Sequence, residues 1–165
     1  MITMRWHVCR TPSTLPSPRV PLPFVAGLPG GWEEWVRRAG VVPGTPYLLS
    51  PSYDYDVVLN GFFQSVGMLM SAMNTQVGYA RDLAAFLPFL TMSRGGRSWR
   101  EATEADHGAY LFWRRRDPDG PRISGSGWNR EVAAVNRFYR WALGAGHVQV
   151  HPVPQMGPGV RRPRR

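Results

Sequence analysis

The run WNREVAAVNRFYRWA, Trp128–Ala142, constrains the fold more than any other stretch of this chain. Wound at ~3.6 residues per turn, it divides into two arcs. Trp128, Val132, Val135, Tyr139 and Ala142 climb one side, with Ala134, Phe138 and Trp141 beside them. An apolar arc of that width must lie against other elements, so Phe138 and Trp141 are expected in a core. The opposite arc holds Asn129, Arg130, Ala133, Asn136, Arg137 and Arg140 and no acid. A solvated face ordinarily mixes both signs of charge. This arc is therefore open to two readings, a plain solvated surface or one shaped for an anionic partner.

One such helix needs neighbours to cover its apolar side, and the sequence supplies three. The first spans roughly Tyr55–Met73, where Val58, Phe62, Ser65 and Leu69 follow helical spacing, weakened by Gly61 and Gly67. The second is expected to start on Asn74 as N-cap and to run through TQVGYARDLAAFLPFLTM, with Tyr79, Leu83, Phe86 and Leu90 as its stripe. Pro88 predicts a kink or an early end near Ala84–Leu87, because it removes a helical hydrogen bond and clashes one turn back. SRGGRSWREAT then reads as a basic loop. Thr103 and Asp106 form a capping-box pattern opening the third helix, which closes near RRRDPDGP. ISGSG leads into the fourth helix, which stops at Gly144–Gly146.

No strand-like alternation of useful length is visible, and no internal repeat. The expected fold class is all-α, a compact four-helix bundle over residues 47–150. Residues 1–46 read as a mostly disordered Pro/Gly-rich arm with a possible short helix at 32–39, and residues 151–165 as a basic, Pro-rich tail.

Charge placement sharpens the question left by the arginine arc. The formal net charge is +9, and all 20 basic residues are arginine, a bias that a GC-rich coding sequence also produces. Position therefore matters more than the total. Residues 47–150 carry 11 Arg against 9 acids, while the first 46 residues contribute +3 and the last 15 contribute +4. A near-neutral bundle with one acid-free face favours a nucleic-acid surface more than a uniformly basic one would. Arginine offers a planar fork matched to phosphate and to the guanine edge, and asparagine can pair bidentately with adenine.

Other chemistries find little support. Cys9 is the only cysteine, which excludes an internal disulfide and a thiolate zinc cluster and fits a reducing compartment. His107, His147 and His151 lack partners at metal-ligand spacing, and His107 reads as a surface histidine. No Gly-rich phosphate loop, Ser–His–Asp set or paired catalytic carboxylates stand out. No metal, cofactor or small-molecule ligand is expected. No run of 18 apolar residues and no signal-peptide core occur, so the chain reads as cytoplasmic, with no membrane partner.

From about Gly44 to Pro154 the sequence resembles the N-terminal core-binding, SAM-like domain of tyrosine recombinases, the phage integrase family, especially its actinobacterial members. The resemblance rests on NTQVGYARDLAAFLPFL, similar to the family's T-x-x-x-Y-x-x-D-L-x-x-F-x-x-F-L, then WREATEADHGAYLFWRR, then NREVAAVNRFYRWALGAG followed by HPVP. It implies a four-helix domain forming half of a clamp on double-stranded DNA at a recombination half-site, associated with the nucleoid, with the second and fourth helices approaching the major groove. The second would offer Thr75, Gln76 and Arg81, with Thr75 and Gln76 in its first turn near free backbone N–H groups. Tyr79 lies on the apolar stripe and is read as core. The fourth would offer Asn129, Arg130, Asn136, Arg137 and Arg140. Arg94 and Arg97, flanking the Gly-Gly turn, suit phosphate contact and equally a solvated loop. Arg114–Arg116 end the third helix, where cations favour the dipole.

The family's chemistry needs two arginines, a lysine, a His-x-x-Arg box and a nucleophilic tyrosine in a further domain, to neutralise the scissile phosphate and form a phosphotyrosyl link. This sequence contains no lysine, and its one His-x-x-Arg, HVCR at His7–Arg10, sits apart in the Pro-rich arm. The expectation is thus a binding module truncated before its catalytic domain, not an enzyme by itself. The alternatives are a regulatory fragment that competes with or contacts full-length recombinase protomers, a clamp half acting in trans, or a decayed gene product.

Overall fold

The computed structural model describes residues 4–12, 31–40 and 42–155. The chain divides into two units, Met1–Ala85 and Phe86–Arg165, with the boundary inside a long helix.

In the first unit, β1 (His7–Arg10) and β2 (Pro46–Leu49) pair antiparallel, His7 opposite Leu49 and Cys9 opposite Tyr47. The all-α, four-helix expectation is corrected here, since the described part of the arm contributes a strand. Each strand is only four residues long, too short for alternation to register in the sequence. Contacts beyond the ladder hold it. Gly44 N donates to Thr11 O at 2.7 Å and Thr11 N to Thr45 O at 2.9 Å. On the other edge of β2, Asn60 imitates a neighbouring strand: its Oδ1 accepts from Leu48 N at 2.7 Å and its Nδ2 donates to Leu48 O at 2.9 Å. A buried asparagine is stable there because both halves of its amide are satisfied.

Helix α1 (Gly31–Arg38) fits the short helix expected at 32–39 and gives way to Gly40, whose φ of 69° suits glycine. The helix expected over Tyr55–Met73 is instead two short ones, α2 (Val57–Gly61) and α3 (Val66–Leu69). Asp56 caps the first, accepting from Leu59 N at 3.0 Å, and Ser65 Oγ donates to Phe62 O at 2.6 Å between them. Such local side-chain bonds compete with a continuous helix, and the glycines lower its propensity further.

Helix α4 (Met73–Ser93) carries the chain from the first unit into the second. It opens on Ala72, whose carbonyl accepts from Thr75 N at 2.9 Å, so Asn74 lies inside the first turn and is not the cap. It also runs through Pro88 to Ser93. The expected end near Ala84–Leu87 does not occur. Phe86, Leu87, Phe89 and Leu90 around the proline are all buried, and that burial outweighs one missing backbone bond.

In the second unit a 3₁₀ turn (Trp99–Glu101) precedes α5 (Glu104–Arg115) and α6 (Gly125–Gly144). The expected Thr103/Asp106 capping box is present, and Ser124 caps α6 by accepting from Gly127 N at 3.1 Å. The core is aromatic: Phe86 meets Tyr110 edge-on at 5.0 Å, Trp99 meets Phe138 at 5.3 Å, and Tyr139 OH donates to Trp99 O at 2.7 Å. Past α6 the chain stays attached. Val148 and Val153 are buried, and His151 Nδ1 accepts from Val153 N at 3.2 Å. The start of the expected tail is thus part of the packed unit, while residues 156–165 lie outside the described residues.

Candidate nucleic-acid interface

Two buried carboxylates sort the arginines of the second unit. Asp106, with none of its surface exposed, accepts from Arg94 Nε at 2.6 Å, Arg97 Nη1 at 3.1 Å, Thr103 N at 2.8 Å and Thr103 Oγ1 at 2.9 Å. Burial pushes its carboxyl upward, but Arg94, Thr103 and Arg97 more than offset this and hold it below the ordinary carboxylate value. Arg94 and Arg97, expected to suit phosphate, both turn their guanidinium groups onto Asp106. An unmatched carboxylate at that depth would cost several kcal/mol, roughly 3–5 by analogy with broken buried pairs.

The second is Glu131, the only acid of α6. It is 3% exposed and accepts from Tyr110 OH at 2.9 Å and Arg114 Nε at 2.9 Å, with Arg114 Nη2 closing a bidentate pair. Arg114 thus serves a buried partner as well as the C-terminal end of α5. The cation comes from α5 and the carboxylate from α6, which ties the two helices together.

With Glu131 turned inward, the outer face of α6 presents no acid. Asn129, Arg130, Ala133 and Arg140 are exposed there, and Asn136 and Arg137 are half-buried. Asn136 is partly committed, its Oδ1 accepting from Gln155 Nε2 at 2.9 Å. Trp141, expected in the core beside Phe138, is only half-buried and packs its ring 5.2 Å from that of His147. It sits one turn beyond Arg137, at the edge of the outer face rather than under it.

The α4 candidates, in the first unit, divide. Arg81 is exposed, and Thr75 and Tyr79 are half-buried. Gln76 is 3% exposed and its amide donates to Ser71 O at 2.9 Å. The first turn thus faces this glutamine, expected at DNA, inward to hold the preceding loop.

His107 is also corrected. It is 6% exposed and lies 5.5 Å from the Trp128 ring. Burial, reinforced by the nearby His151, pulls its pKa down to about 4. In the capping-box helix it follows Asp106 directly, and no sequence signal marked that position as interior. Among the described residues no group of His, Cys, Asp and Glu could hold a metal ion, and no helix is long and apolar enough to cross a membrane.

This arrangement of an inward acid, an aromatic core and an outward arginine ridge coincides with a known domain. Residues 67–146 match the model of the phage integrase N-terminal SAM-like domain. That segment belongs to this family. The match to the integrase domain begins within α3 and ends at the turn after α6, so it contains both carboxylate clusters and the arginine face. The β-pair, α1 and α2 precede it. No curated protein and no solved structure matches the chain.

Proposed function

We propose that this chain binds duplex DNA as the core-binding module of a site-specific tyrosine recombinase, with the outer face of α6 laid into the major groove of a recombination half-site. The observation that carries this reading is the inward burial of Glu131 against Arg114, which leaves the outer face of α6 with Asn129, Arg130 and Arg140 exposed and no acid of the helix itself turned outward. A helix placed against phosphates needs such a surface, since one carboxylate on the contact face would repel the backbone. The family of residues 67–146 supports the same reading.

In this proposal the chain binds and positions DNA and does not transfer a phosphoryl group. Its only His-x-x-Arg lies in β1, where His7 stacks on Tyr53 at 4.3 Å and Arg10 Nε donates to Gly44 O at 3.2 Å. Those contacts support a role for both residues outside phosphoryl transfer.

The test is fluorescence anisotropy with a labelled duplex, measured across salt concentrations. Binding should weaken steeply with salt, and the variant carrying Arg130→Glu and Arg137→Glu should lose on the order of a hundredfold in affinity, at ~1–3 kcal/mol per contact. If that variant keeps wild-type affinity, the α6 face is not the interface. Incubation with a nicked substrate should leave no protein covalently joined to DNA; a joined product would overturn the non-catalytic part of the proposal.

A further inference from the structure

The first unit contains a basic cleft that α6 does not explain. It has a volume of about 520 Å³ and is lined chiefly by Arg5, Trp6, His7, Arg10, Val77 and Arg81. Three arginines meet there, and no carboxylate lines it among the described residues. Arg5, Arg10 and Arg81 are exposed, while Trp6 and His7 are half-buried and form a partly apolar wall. The cleft joins the start of the chain to α4: Val77 and Arg81 are one helical turn apart and share a face, and the remaining residues come from β1 and the two positions before it. Its geometry is braced. Arg10 Nε is tied to Gly44 O at 3.2 Å, and Gly44 itself needs a φ of 84° and has Arg10 Nη2 only 3.4 Å from where a Cβ would stand. The pairing of His7 with Leu49 sets the strand's register and so the placement of Arg5 and Trp6 just before it.

We infer that this cleft is a second nucleic-acid contact, in which Arg5, Arg10 and Arg81 take the phosphodiester backbone and the Trp6 wall packs a sugar or base. Convergent guanidinium groups without a carboxylate select a phosphate, and an aromatic wall beside them suits a nucleotide over a free inorganic anion. β1 and Trp6 lie outside residues 67–146, so this contact extends the DNA-binding surface beyond the matched integrase domain. The inference rests on the DNA-binding reading for the identity of its partner, but on different residues.

The experiment compares the full chain with two double variants, Arg5→Gln with Arg81→Gln in the cleft and Arg130→Glu with Arg137→Glu on α6, on the same labelled duplex. Arg10 is left in place because it braces Gly44. The cleft variant should bind about tenfold more weakly, and its log–log salt dependence should be shallower by roughly 2, at ~0.9 per lost phosphate contact. Arg5→Lys with Arg81→Lys should restore most of that slope, since the charges persist. Wild-type affinity and slope in the cleft variant, alongside loss in the α6 variant, overturns the cleft and leaves the α6 reading standing. The reverse result keeps the cleft and removes α6, and wild-type binding by both removes both. Circular dichroism checks folding, and if the double variant unfolds, Arg81→Gln alone on the exposed helix face carries the same comparison with about half the slope change. Competition identifies the source of the phosphate. Inorganic phosphate should displace the duplex weakly and a short oligonucleotide strongly; equal displacement by phosphate would mean an anion site rather than a nucleic-acid contact.

Discussion

The segment from Arg94 to Asp106 and the outer face of α6 are both rich in arginine, yet they direct it oppositely. In the first, Arg94 and Arg97 fold back onto Asp106, which lies fully out of solvent. In the second, the helix's one carboxylate has already been matched by Arg114 from α5, and Arg130 and Arg140 face outward. The difference lies with the acids. A buried carboxylate must acquire cations at once, because desolvation is expensive, whereas a face without a carboxylate of its own has no such demand turning its guanidinium groups inward. Arginine content alone therefore does not locate an anion-binding surface; the depth of the nearest carboxylate has to be read with it.

The largest expected effect tests the inward cluster. Asp106→Ala removes the acceptor for Arg94, Arg97 and the Thr103 cap together, and should lower stability by about 3–5 kcal/mol in denaturant titration. A loss below about 1 kcal/mol would mean the cluster is peripheral, and the contrast with α6 would collapse.

Phe138→Ala should cost a similar ~3–5 kcal/mol, because the ring is 1% exposed in the aromatic core. Trp141→Ala, at the half-buried edge of the outer face, should cost roughly 1 kcal/mol. Equal losses for the two would place Trp141 in the core after all and narrow the outer face of α6.

Acid should act on the inward region through two groups. His107 titrates at about 4 in the folded chain against 6.5 when free, so the unfolded chain binds the extra proton between those values and stability falls as pH drops through that window. The loss amounts to about 3 kcal/mol, and His107→Leu should flatten it. Asp106 has the usual carboxylate sign: its folded pKa is lowered, so its contribution is complete above the ordinary carboxylate value and disappears as pH falls through the folded one. Equilibrium unfolding across pH 7 to 3 reads both; a flat profile in the wild type would remove His107 from the interior. The smallest effect belongs to the outer face, where Arg140→Ala should leave the melting midpoint unchanged while weakening DNA binding.

Much of the second unit was legible in the sequence because its signals are local. The Thr103/Asp106 cap spans three residues, and the apolar arc of α6 repeats every turn, so Trp128, Val135, Phe138 and Tyr139 are inside as their spacing required. Even Glu131 could be placed on the buried side by counting. The first unit was less legible. Its strands are four residues each and pair across more than thirty intervening positions, and β2 is completed by an asparagine from α2 rather than by another strand. Such pairings leave no periodic trace.

The sequence by itself determined that α6 would have an acid-free arginine face and an apolar back, because both follow from one helical repeat. Only the tertiary structure decided where the other arginines would go. Arg94 and Arg97 were drawn inward by a carboxylate nine to twelve residues away, and Arg5 and Arg10 were brought beside Arg81 by a strand pairing. The physical reason is range: amphipathicity acts between residues a turn apart, whereas ion pairing and desolvation act between whatever side chains the fold brings into contact.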